Sequence, residues 1–185
     1  MARPTSTAGS TRALTSALLT LFERELAAVR REVDAYARDD QLWQSVPGMS
    51  NVGGTLVLHL AGNLQHFLGA RLGRTGYVRN RDAEFSRRNV SRPELIAEID
   101  AAGEAIKAGF AALTDAQLVD DYPEIIADRT VTIGQYLMHL STHLAFHLGQ
   151  IDYHRRVVTG SNQGVGAVRT SELSSARPIA QARSV

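Results

Sequence analysis

At 185 residues, with 44% hydrophobic and 21% charged side chains, the chain has the length and balance of one globular domain. A formal net charge of +1 gives no basic excess to attract nucleic acid, and the lack of cysteine excludes disulfides, thiolate metal ligands and a cysteine nucleophile. No apolar run approaches the ~18 residues that span a bilayer, so no membrane association is expected.

The helices come in chain order. Leu14, Leu18, Leu21, Phe22, Leu26, Val29 and Val33 recur at three and four, which predicts a helix over about 10–38 with its charged residues turned away from a core. Charge enters early, at Glu23, Arg24 and Glu25, as in an amphipathic helix rather than a signal peptide, and a cytoplasmic protein is expected. The stretch "QLWQSVPGMSNVGG" reads as a loop from its Pro, Gly and Asn content. A second helix is predicted from Gly53 to Leu72, with Ser50 or Asn51 as its N-cap and Leu56, Leu60, Asn63, Leu64 and Phe67 facing inward. Residues 73–90 are polar and read as a long loop. A third helix is predicted over 91–113, opened by Ser91 and Glu94 at capping-box spacing with Pro93 in the first turn. Residues 114–129 form a second long connection, whose "EII" suits a short strand or a helical turn. A fourth helix is predicted over about 131–158, closed by Gly160, with Ile133, Leu137, Leu140, Leu144, Leu148 and Ile151 inward. The expected fold is therefore all-α: a four-helix bundle with long interhelical connections over residues 1–160, followed by a flexible tail at 161–185.

The fourth helix carries an anomaly. In "STHLAFHLGQIDYHRR", His143 and His147 lie four apart on the inward side, where leucine would pack better. Residues four apart project from one helical face, so two imidazoles there can bind one cation through nitrogens at ~2.0–2.1 Å. Gln150, three after His147, shares the face and could support the site; His139 lies at its edge. A third ligand must come from a neighbouring helix, and the second helix offers His59, beside its core row, and His66, at the margin. His66 and His154 read as surface or edge residues. A lone histidine on an apolar face is more often a satisfied core residue than a ligand, so spacing alone leaves the choice open.

Two stretches resemble the DinB-like (DinB/YfiT) superfamily of metal-dependent enzymes. "LWQSVPGMSNVGGTLVLHLAGNLQHFLG" is similar to its first block: a Pro-Gly loop, a helix start, a His-Leu pair and then an aromatic. "VTIGQYLMHLSTHLAFHLGQIDYHRR" resembles its second, in which two histidines precede a Gly-Gln step; Leu148 stands where that family usually has arginine. The resemblance implies a four-helix bundle with His59, His143 and His147 as metal ligands. It also implies nickel, zinc or iron as the divalent ion, and a homodimer.

The resemblance further implies a small-molecule substrate, with a low-molecular-weight thiol as co-substrate in S-transfer chemistry. Lack of cysteine fits an external thiol. Metal-dependent hydrolysis and a non-catalytic metal- or ligand-binding bundle are the alternatives. Asp39, Asp40 and Asp152 are candidate general bases, and Trp43 and Tyr136 candidate pocket walls.

Overall fold

The computed structural model describes residues 12–179. Among these, five α-helices occur, and no strands beyond isolated bridges: α1 (Ala13–Asp34), α2 (Gly53–Leu64), α3 (Arg81–Ser86), α4 (Arg92–Ala111) and α5 (Ile133–Thr159). The four long ones are those read from the periodicity. Each of α1 and α2 packs against both α4 and α5. The all-α expectation is met. The expected helix start at residue 10 and the last tail residues, 180–185, lie outside the described residues.

The core is a continuous apolar cluster. Phe22, Val29 and Val33 of α1 meet Leu95 and Ile106 of α4 and Leu137, Leu140 and Leu144 of α5. Phe22 and Phe110 pack with ring centroids 5.6 Å apart. Every residue of α2 is buried. A helix that is apolar on all sides belongs in the middle of a protein, and α2 is enclosed by α4, α5, α3 and a 3₁₀ turn at Asp39–Trp43.

Local chemistry explains most boundaries. Ser91 and Glu94 form the expected capping box: the Ser91 N–H donates to the Glu94 carboxylate and the Glu94 N–H to Ser91 Oγ. Gly160 closes α5 at φ +70°, a conformation glycine adopts without strain. Other expectations need correction. The N-cap of α2 is Val52, with no side-chain cap, rather than Ser50 or Asn51. The second helix keeps α geometry only to Leu64 and continues as a π-turn over Gln65–Ala70, where the Arg71 N–H reaches back five residues to His66. The segment read as loop at 73–90 contains α3, capped by Asn80 Oδ1, which accepts from the Ala83 N–H at 3.0 Å. Residue Ile126 of "EII" forms a single antiparallel bridge with Arg129, around Ala127 and Asp128 at positive φ.

The charged residues of α1 do not all turn outward. Glu25 and Glu32 are buried. Glu32 pairs with the buried Arg155 of α5, which also donates to Asp152 at 3.0 Å. Burial outweighs the Arg155 charge and raises the Glu32 carboxyl to about 7. The segment after α5 is tied to the helices through its carbonyls. Arg155 donates to Gln163 O (2.8 Å), Arg156 to Asn162 O (2.6 Å), and Arg31 to Val165 O (3.0 Å) and Gly166 O (3.2 Å).

His154 is also corrected: it is not at the surface but 1% exposed. Its Nδ1 lies 2.7 Å from the Tyr36 hydroxyl and its Nε2 2.9 Å from Gln44 O. Nε2 must donate to the carbonyl, so Nδ1 accepts from Tyr36 and the ring is neutral. Burial lowers its pKa below the usual 6.5, opposed by the Gln44 carbonyl. The unfolded chain therefore takes up a proton here more readily than the folded one. The stabilisation is full above pH 6.5 and is lost as pH falls toward the lower folded value. We expect His154→Gln to unfold at lower urea than wild type at pH 8, with a smaller further loss between pH 7.5 and 5.5, read from urea midpoints. Tyr36→Phe should cost about 1–3 kcal/mol by leaving Nδ1 unpaired.

Candidate metal centre

On α5, leucines 140, 144 and 148 enter the core. The histidines at 139, 143 and 147 each precede one of these, so they are turned by about 100° on the helical wheel. That rotation brings His143 and His147 to the junction with α2, half-buried, and leaves His139 exposed. His59 projects from the enclosed α2 at the same level and is 7% exposed.

The three rings converge. His143 Nε2 lies 3.3 Å from His59 Nε2 and 3.1 Å from His147 Nε2. One nitrogen from each residue falls within 4.8 Å of the others, so the group could hold a metal ion. Tetrahedral nitrogen ligands at ~2.0–2.1 Å from zinc lie about 3.3–3.4 Å from one another. The observed spacings are close to that value.

The outer nitrogens fix which lone pairs face inward. His59 Nδ1 is 3.0 Å from Glu84 Oε2, and His147 Nδ1 is 2.6 Å from Gln150 Oε1. Both partners accept, so both Nδ1 atoms carry the proton and both Nε2 atoms present lone pairs. A proton on His143 Nε2 could satisfy only one of them. A cation shared by all three satisfies the set, so the residues fit a divalent ion.

Burial pushes the His143 imidazole down to about 4, with His147, His59 and His139 adding to the effect. Burial lowers His147 as well, against the bond to Gln150. Neutral imidazole is the ligating form.

Glu84 and Arg79 did not emerge from the sequence. Glu84 comes from α3, and its carboxylate is 5% exposed. Arg79 grips it with Nε to Oε1 at 2.7 Å and Nη2 to Oε2 at 2.9 Å. Burial would raise the Glu84 carboxyl; the bonds from His59 and Arg79, with the Arg79 charge, overcome it and hold the pKa below 4.5. The carboxylate reaches His59 across Gly62, where a Cβ would stand 2.8 Å from Glu84 Cδ. Phe85 of α3 packs on the His59 ring, centroids 4.9 Å apart. The available sequence signal was "NRDAEF": an Asn N-cap with acidic residues in the following turn.

The remaining candidates fall elsewhere. His66 bonds Glu124 at 3.0 Å, and the same carboxylate takes Arg71. His139 stacks on Tyr136, centroids 5.7 Å apart, and stands 6.3 Å from His143. Asn63, one turn after His59, is buried with its amide oxygen unpartnered among the described residues. Asp39 pairs with Arg92, Asp40 with Arg38, and Asp152 with Arg155 and Arg156, so none is a free base at the centre. Trp43 donates to Val90 O and packs over Gly54. A surface hollow of about 540 Å³ between α1 and α4 contains no residue of the centre.

The DinB superfamily pattern matches residues 21–151. The chain belongs to the DinB superfamily. That span takes in α2, α3, α4 and the part of α5 bearing both inward histidines. No match is found among curated proteins.

In the metal-free DinB protein, His143 should stay neutral until about pH 4. Imidazole ¹⁵N resonances followed from pH 8 to pH 4 after chelation test this. A His143 midpoint near 6.5 would contradict the packed geometry.

Proposed function

We propose that this protein is a metal-dependent enzyme in which His59, His143 and His147 hold one divalent ion, and in which a small thiol is activated for S-transfer to an electrophilic small molecule. The observation that supports it is the convergence of three Nε2 atoms, with the opposite nitrogens of His59 and His147 tied down by Glu84 and Gln150. Nickel, zinc and iron all suit an imidazole set. An ion held by three neutral ligands keeps its full charge and an open position, and so lowers the pKa of a thiol or water bound there.

The chain's own residues supply the rest. Glu84 holds the His59 ring in the tautomer that presents Nε2, and Arg79 holds Glu84. Gln150 does the same for His147. His139, the exposed imidazole next along α5 from His143, would take the proton that a thiol loses on ionising. With no cysteine in the chain, the sulfur nucleophile is a co-substrate. Hydrolysis would use the same open position for water. The proposal includes the homodimer and the cytoplasmic setting implied by the family; a single monomer-mass species in sedimentation velocity would remove the dimer.

Elemental analysis of untagged protein is the first test, with about one divalent ion per chain expected. His143→Ala should lose it, and His139→Ala should keep it. Retention of metal by His143→Ala would refute the ligand set. Glu84→Ala should bind cobalt(II) about 10–100-fold more weakly by competition titration, because the His59 ring loses its anchor. Gly62→Ala should weaken binding in the same direction by displacing the Glu84 carboxylate. Wild-type protein should also turn over a small thiol with an electrophile faster than His147→Ala; equal rates would refute thiol activation.

A further inference from the structure

The outer face of α5 is unlike that of α4. None of the exposed residues of α5, from Gln135 to Val157, is Asp, Glu, Lys or Arg. The exposed positions of α4 include Glu94, Asp100, Glu104 and Lys107. A helix that faces water ordinarily carries charge on its outer side. Loss of charge marks the middle of a protein–protein contact.

Large apolar side chains stand there instead. Met138 is 49% exposed, Phe146 63%, Tyr153 68% and Val157 55%. With Thr142 and Gly149 they recur at three and four, so they form one stripe along the side of α5 away from the core. Met49, 37% exposed, lines a hollow together with Tyr153 and carries the apolar area onto the loop before α2. At about 150–250 Å² for a large side chain, the four exposed fractions leave roughly 500 Å² in water. A patch of that size on one molecule is commonly an interaction site. The smaller stripe residues, Ala145 and Met49 bring it toward the ~800 Å² per partner of a stable complex.

The order of sizes along the stripe identifies what fits it. A two-fold contact sets residue i against j and j against i. Reversed about the point between His147 and Leu148, the stripe sets Phe146 against Gly149, Tyr153 against Thr142, and Met138 against Val157. Each aromatic ring then meets a small residue. A Cβ at Gly149 would meet no neighbour within 4 Å among the described residues. Glycine weakens a helix interior relative to alanine, and a ring laid across it from a second molecule gives it a packing role. The reversal also opposes the two helix dipoles favourably. At the flank, Arg156 is already paired with Asp152 of its own chain at 2.8 Å, so no unpaired like charges are brought together.

We propose that α5 packs antiparallel against α5 of a second copy of this chain, through the stripe from Met138 to Val157 and with Phe146 seated on the partner's Gly149. This inference gives the homodimer reading above its surface; it rests on that reading and not on the metal. Phe146 also packs on the His147 ring, centroids 5.3 Å apart, so the contact lies beside the three-histidine group.

The test uses the full chain, with dimer dissociation constants from sedimentation equilibrium. Phe146→Glu should weaken the dimer at least a hundredfold, with helix content by circular dichroism unchanged. Ala101→Glu, in the hollow between α1 and α4, should leave the constant within twofold of wild type. The cysteine-free chain allows a second reading with single cysteines and diamide as the thiol oxidant. In the reversed pairing the two Gly149 positions are offset by about 4.5 Å along the axis and the two Met138 positions by about 28 Å. Gly149→Cys should therefore give a disulfide-linked dimer, and Met138→Cys should not. A dimer that survives Phe146→Glu, or one that Ala101→Glu breaks, overturns this surface and leaves the homodimer reading standing. Cross-linking of Met138→Cys, or none of Gly149→Cys, overturns the antiparallel pairing. Wild type that is monomeric at micromolar concentration overturns both readings.

Discussion

The structure turns on a buried imidazole that needs partners at both nitrogens. His59 sits on α2, a helix enclosed on all sides, so water cannot serve either atom freely. A buried polar group without a partner costs about 1–3 kcal/mol. Nδ1 is answered by the Glu84 carboxylate, and that choice propagates. A buried carboxylate needs its own cation, which Arg79 supplies, and a path to α2, which Gly62 leaves open. The short α3 exists at this point to deliver Glu84 and Phe85 onto one ring. Nε2 is left facing His143 and His147, where lone pairs gather more closely than neutral groups favour.

The same helix solves the problem of a buried histidine twice, with different results. His154 has each nitrogen satisfied by one fixed protein partner, Tyr36 and Gln44 O, and its ring is closed off. It joins α5 to the end of α1 and to the loop before α2. His143 and His147 instead satisfy only part of their capacity from the chain and remain half-exposed on the α2 side. What separates a structural histidine from a candidate ligand here is the number of unanswered lone pairs, not the residue type or its burial alone.

The pairing of α1 with α5 holds the centre in register. Glu32 and Arg155 are buried against each other, with Asp152 and a tail carbonyl taking the other guanidinium N–H groups. Such a pair adds little net stability over apolar packing, but separating it leaves an uncompensated charge in the core. Sliding α5 along α1 by one turn would do that. The same displacement would carry His143 and His147 past His59, so this salt bridge and the three-histidine geometry restrain one motion together.

The four long helices were legible because their apolar residues recur at helical spacing, and the capping box at Ser91 and the glycine at 160 mark two of the ends in a few residues. His143 and His147 were legible for the same reason: a four-residue interval has one geometric meaning on a helix. Pairing them with His59 needed the family resemblance, since nothing local in "VLHLAGN" distinguishes a ligand from a core histidine. Periodicity also misplaced residues whose fate depends on distant partners. His154 was read as an edge residue because the pattern does not reveal Tyr36 and Gln44 O, 118 and 110 positions away. Glu32 was turned outward because Arg155 lies 123 positions from it. Glu84 fell in an apparent loop because a helix of six residues shows too little periodicity to register. The sequence by itself determined which segments become helices and which face of each is apolar, since those follow from the spacing of neighbours along the chain. Only the tertiary structure decided which polar groups are buried and what answers them, because that depends on side chains brought together from separate helices.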